Sequence, residues 1–122
     1  METKHMTYGE YLAQQKKKGR SKYHAQPTVV DGLRFDSKRE AARWRELVLL
    51  ERAGVIKGLR RQVPFVLIDK SEHGRAVIYS ADFTYMENGR EVVEDVKGVK
   101  TDVYKIKKRL MAERYGITIR EV

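Results

Sequence analysis

Asp82 stands inside the run Val77-Ile78-Tyr79-Ser80-Ala81-Asp82-Phe83, a mostly apolar and aromatic stretch where a lone carboxylate is disfavoured, so it requires a partner. Asp95 follows thirteen residues later and Lys97 two residues after that. By the two-residue alternation of a strand, Asp95 and Lys97 share a face and Glu94 points to the other. If the two runs are hairpin neighbours, Asp82 and Asp95 converge, and adjacent carboxylates are unfavourable unless a cation lies between them. Magnesium, one ion or two, is the expected cation, with manganese able to substitute. Phosphodiester hydrolysis needs a metal to polarise the phosphoryl oxygen and generate hydroxide, together with a fixed positive charge. Asp82, Asp95 and Lys97 are that set. Glu40, on the apolar side of a helix near Trp44, is placed to add a third carboxylate from above the sheet. Gly98 allows close backbone approach.

Each of these residues has a structural alternative. Glu40 can close a capping box with Ser37. Asp82 can pair with Arg34, Arg60 or Arg61, although a mid-strand carboxylate favours a functional role. Asp95 and Lys97 can form a surface ion pair worth less than about 1 kcal/mol, a reading that becomes the lesser one beside Asp82. Trp44 and Phe65 read as core residues rather than base-stacking platforms, and His24 and His73 as surface residues without a role.

The elements needed to position these groups are legible. Phe35-Asp36-Ser37-Lys38-Arg39-Glu40 has the form of a helix start, with Ser37 as N-cap, and the helix is expected over 37–53 with Gly54 as its stop. Ala41, Trp44, Leu47, Val48 and Glu51 fall on its buried face, with Arg39, Arg43, Arg45 and Glu46 toward solvent. Strands are predicted at 63–68, 76–85 and 91–96, joined as a meander by turns at 69–74 and 87–89, where Asn88-Gly89 is a strong hairpin signal. A second helix over 102–115 buries Val103, Ile106, Leu110 and Met111 and ends before Gly116; residues 117–122 alternate as a final strand, parallel to the third. Lys100 and Thr101, near the start of that helix, are set to hold a phosphate next to the scissile one, with Tyr104 and Lys105 as the next contacts.

The chain has 122 residues, enough for one domain with a core and too few for two. Its 26 Lys+Arg against 17 Asp+Glu give a net charge of +9, which favours a polyanionic partner. There is no cysteine, and the three scattered histidines have no metal-ligand spacing, so any metal is held by oxygen. No apolar run reaches the roughly 18 residues of a membrane span, so no membrane partner is expected. With no signal-peptide hydrophobic region, a cytoplasmic location is expected. Residues 1–5 look like a vector-derived leader. Residues 6–30 read as a flexible basic arm in which Lys16, Lys17, Lys18, Arg20 and Lys22 wrap a phosphate backbone, and 31–122 as the single catalytic domain.

Ala81-Asp82 followed by Asp95-Val96-Lys97 resembles the PD-(D/E)XK nuclease superfamily, whose signature is an acid, a spacer, then acid-X-Lys. Phe35-Asp36-Ser37-Lys38-Arg39-Glu40-Ala41, Tyr79-Ser80-Ala81-Asp82-Phe83 and Val93-Glu94-Asp95-Val96-Lys97-Gly98 are also similar to small phage proteins related to archaeal-type Holliday junction resolvases. The resemblance spans about 28–122 and departs at Ala81, where the superfamily name has proline. It implies a restriction-endonuclease-like αβββαβ core of the α/β (α+β) class, a central mixed sheet flanked by helices. It further implies that Asp82 and Asp95 bind the metal, that the Val96 carbonyl joins them, that Glu40 is the first-helix acid, and that Lys97 activates or orients water. The expected activity is a magnesium-dependent DNA endonuclease acting on branched DNA, a phage protein working in a bacterial host. A symmetric four-way junction needs two coordinated cuts and hence a homodimer, with Val63, Phe65 and the exposed face of the second helix as interface candidates. The competing readings are a non-catalytic DNA-binding module on the same scaffold and a restriction-like or RNA-directed nuclease.

Overall fold

Asp31 and Gly32, at φ 52° and 76°, reverse the chain between β1 (Thr28–Val30) and β2 (Leu33–Phe35), a two-residue turn whose twist matches that of the strands it joins. The computed structural model describes residues 27–96 and 100–122 of the chain. This hairpin corrects the expected arm: residues 28–30 are strand, with Val30 and Phe35 buried. Arg61 fastens it to the sheet, laying its guanidinium over the Phe35 ring and donating to the Arg34 carbonyl.

The first helix, α1 (Lys38–Arg52), begins where expected, because the Ser37 hydroxyl accepts from the Glu40 N–H at 3.1 Å. Ala41 and Leu47 are buried, and Trp44 lies between Phe35 and Phe83. Two side chains depart from the expected pattern. Glu51 is exposed, with its carboxylate accepting from the Leu59 N–H, and Arg43 turns inward to a buried acid.

The main sheet has the order β3-β4-β5-β6, from β3 (Lys57–Ile68), β4 (Val77–Glu87), β5 (Arg90–Asp95) and β6 (Arg120–Glu121). The first three strands form the expected antiparallel meander, with Asn88 and Gly89 at φ 53° and 76° turning between β4 and β5, and β6 lies parallel to β5. β3 starts at Lys57 rather than at 63 because pairing with β4 carries the polar stretch Lys57-Gly58-Leu59-Arg60-Arg61-Gln62 into the ladder. β6 is shorter than 117–122: among the described residues its parallel partners are Glu94 and Asp95.

The second helix, α2 (Asp102–Tyr115), runs from its N-cap Thr101 to Gly116, whose left-handed φ of 66° closes the helix. Its bounds match the expectation, but its buried face is rotated. Tyr104 and Met111 are buried, whereas Val103 and Ile106 are 62% and 60% exposed. The Tyr104 hydroxyl donates to Glu121 on β6, and that bond with the ring's burial sets the rotation.

Two apolar clusters result. One joins α2 to Val63, Phe65, Leu67, Tyr79, Ala81, Val93 and Ile119; the other joins α1 and the hairpin to Ile56, Leu59, Phe83, Tyr85, Val92 and Val96. Along β3 and β4 the change of cluster falls at Gln62 and Asp82. Val63 and Phe65 belong to the interior, which removes them as dimer-interface candidates. Among the described residues no helix is long and apolar enough to cross a membrane.

Candidate functional site

The β4–β5 ladder pairs Phe83 with Glu94, so the next register position sets Asp82 opposite Asp95. The Asp95 carboxyl is near enough to raise the Asp82 pKa, an unfavourable juxtaposition that a cation between the two would relieve. Asp82 Oδ2 also accepts from the Val96 N–H at 2.7 Å, and Asp95 Oδ2 from the Tyr79 hydroxyl at 2.6 Å. Burial raises the Asp82 pKa most; the contact with Asp95 and the charges of Glu40 and Asp95 raise it further, against the Val96 N–H. Burial and the Asp95 carboxylate push the Tyr79 hydroxyl up, so it stays a donor. Asp82 thus engages a second acid and a backbone amide, in place of the guanidinium partner that the structural alternative supposed.

Glu40 reaches this pair from α1. It is buried, and its Oε1 accepts from Gln62 Nε2 at 3.0 Å rather than closing the capping box. Gln62 Oε1 in turn accepts from the Ser80 hydroxyl at 3.2 Å. Burial raises the Glu40 pKa, with the charges of Asp36 and Asp95 adding to it, while the Gln62 amide and Arg61 oppose the shift. Three acids from α1, β4 and β5 therefore lie within electrostatic reach of one another, as the sequence pattern anticipates.

Glu94 does point to the opposite face from Asp95. It is fully buried there, where Arg43 Nε and Nη2 bond its two oxygens at 2.8 and 2.7 Å and the Tyr85 hydroxyl adds a third donor. Arg43 lies three residues after Glu40 on α1, so this clamp docks the helix that carries the first acid.

Lys97 and Gly98, with Lys16, Lys17, Lys18, Arg20 and Lys22, lie outside the described residues. The expected phosphate contacts at α2 divide. Lys105 is exposed, and Lys100 is exposed but ion-paired to Glu121 at 3.2 Å. Thr101 spends its hydroxyl on the helix cap. Tyr104 is buried, with its hydroxyl donating to Glu121, so it is not exposed for the expected phosphate contact. Glu121 also binds Lys108 at 3.1 Å, and the Tyr104 hydroxyl followed by Lys108 holds its carboxyl well below the usual range.

Gln62, Tyr79 and Glu121 are the polar contributors that pattern reasoning missed. Tyr79 was visible as an aromatic three residues before Asp82 in the same strand. Nothing in the local spacing marks Gln62, whose importance comes from a left-handed φ of 52° inside a strand.

Among the described residues no group of three or more His, Cys, Asp or Glu side chains is arranged to hold a metal ion. The Asp82–Asp95 pair is nonetheless a donor set suited to magnesium, which takes oxygen ligands, is commonly held by one or two carboxylates and keeps several waters. Two abutting carboxyl groups, each anchored by a separate donor, are what a hard cation would relieve of mutual repulsion.

Residues 20–120 match the family described as "Protein of unknown function (DUF1064)", and the chain belongs to it. No curated protein and no solved structure matches the chain.

Proposed function

We propose that this member of the family is a metal-dependent DNA endonuclease that cuts branched DNA, with a four-way junction as the leading substrate. The observation that supports this most is the juxtaposition of half-buried Asp82 with buried Asp95 across β4 and β5, with Glu40 in electrostatic reach. The resemblance of the acid-X-Lys pattern to PD-(D/E)XK nucleases supports it from the sequence side, and the net charge of +9 suits a polyanion.

In this reading Asp82 and Asp95 would hold magnesium with the Val96 carbonyl, and Glu40 would be the acid drawn in to join them. The chemistry such an ion would supply is polarisation of the phosphoryl oxygen and a source of hydroxide near neutral pH. The Tyr79 hydroxyl and the Val96 N–H keep the two aspartates aimed, which removes reorganisation from the reaction. Lys97 supplies positive charge for the transition state and orients water, while Lys100 and Lys105 hold the backbone beside the cut. Symmetric resolution of a junction calls for a two-fold homodimer, and the exposed face of α2 is the remaining interface candidate.

The test is cleavage of a labelled four-way junction and a matched linear duplex, with magnesium or EDTA, by wild type and Asp95→Ala. The expected result is symmetric cutting of the junction by wild type with magnesium only, and binding without cutting by the variant. Binding without cleavage by both proteins would leave the chain a DNA-binding module and defeat the proposal.

A further inference from the structure

Gln62 lies on β3 between two residues of known register, Arg61 opposite Phe83 and Val63 opposite Ala81, which puts it level with Asp82. The carboxylate row is therefore bordered on its β3 side by an amide. That residue adopts φ 52°, a left-handed conformation that a non-glycine residue keeps only when its surroundings over-determine it. Two bonds do so here: Nε2 donates to Glu40 Oε1, and Oε1 accepts from the Ser80 hydroxyl. The Glu40 carboxylate, an acceptor only when ionised, fixes the direction of the amide. Turned end for end, the amide would set its carbonyl oxygen against a Glu40 oxygen; as placed, that carbonyl is satisfied by the Ser80 hydroxyl on the other side.

We infer that Gln62 is a positioning residue, holding the Glu40 carboxylate in the row with Asp82 and Asp95 through an amide whose far end is anchored by Ser80. The inference rests on the metal-dependent reading of the row and adds to it a supporting residue that the acid-X-Lys pattern does not contain. Partners of this kind, one bond behind a metal ligand, typically change metal affinity or activity by about 10- to 100-fold when removed.

The experiment is a double-mutant cycle on the full chain, combining Gln62→Met with Glu40→Gln. It is read as magnesium affinity by calorimetry and as junction cleavage, with urea unfolding as the check on folding. Gln62→Gly serves as a second variant, since it removes the amide while easing the left-handed backbone. The expected result is a loss of magnesium affinity of about 10-fold or more for Gln62→Met and Gln62→Gly, a smaller loss for Ser80→Ala, and less than about twofold further loss when Gln62→Met is added to Glu40→Gln. Equal losses with and without Glu40 would show that Gln62 does not act through it and overturn the inference. Wild-type affinity in both Gln62 variants would overturn it as well, with the nuclease reading intact. A wild type that neither binds magnesium nor cuts overturns both.

Discussion

At the scale of single residues, the site is a cluster of acids held by neutral donors. Asp82 and Asp95 stand opposite each other, Tyr79 and Val96 supply donors, and among the described residues no basic side chain hydrogen-bonds Asp82. Such a cluster costs stability when no cation is present, and the direction with pH follows from linkage. Glu40 and Asp82 have folded pKa values raised to about 7 and about 9, above their ordinary values near 4. Between those limits the folded chain holds protons that the unfolded chain has released, so stability falls as pH rises. Their contribution is complete below about pH 4 and is lost as pH passes through about 7 and then about 9. Urea unfolding in EDTA should thus show a midpoint that declines from pH 5 to 9, with magnesium flattening the decline; a midpoint indifferent to magnesium would refute the cation assignment. Asp82→Asn keeps an acceptor for the Val96 N–H and removes the acid. It should raise stability in EDTA at pH 8 by about 1 kcal/mol, or roughly 5 °C, while abolishing cleavage. Glu40 was legible as an acid on the correct helix face, but its actual partner was not: a capping box is a local motif, and Gln62 comes from a different strand.

At the scale of elements, α1 is fastened by two kinds of contact. Trp44 inserts between Phe35 and Phe83, and Arg43 crosses to the buried Glu94 on β5. A fully desolvated carboxylate gains from such a partner chiefly because losing it would strand a charge. Glu94→Ala also leaves the half-buried Arg43 without its main acceptor, and chemical unfolding should show a loss of about 3–5 kcal/mol. Replacing both partners with apolar residues should recover most of that loss, which a loss due only to cavity formation would not do. The α2 boundaries were readable from Thr101 and Gly116, because caps are local chemistry. Its rotation was not. Val103 and Ile106 fit a helical stripe as well as Tyr104 and Met111 do, and only the position of Glu121 on the neighbouring strand selects between the two. The hairpin of β1 and β2 carried a signal in Asp31-Gly32 flanked by apolar residues, but polar and basic neighbours on its N-terminal side obscured it.

At the scale of the whole molecule, charge and topology set what can be bound. The net charge of +9 predicts DNA affinity that falls steeply with salt. If exposed Lys105 contacts a phosphate, Lys105→Ala should lower the slope of log affinity against log salt by about 0.9, whereas buried Tyr104→Phe should leave that slope unchanged. Filter binding of the junction across salt concentrations measures both, and equal slopes for wild type and Lys105→Ala would remove that contact. From α1 onward, the order αβββαβ, the antiparallel meander and the parallel final strand were determined by the sequence alone, because hydrophobic period, turn residues and caps act over a few positions. The convergence of Asp82 and Asp95 was also implicit in the hairpin between their strands. What only the tertiary structure decided is which distant groups meet. Gln62 stands behind Glu40, Tyr79 behind Asp95, Arg43 on Glu94, and Tyr104 on Glu121. These partnerships depend on strand register, on the left-handed residue in β3 and on helix rotation, which are set when two layers close on the sheet and cannot be specified by neighbours along the chain.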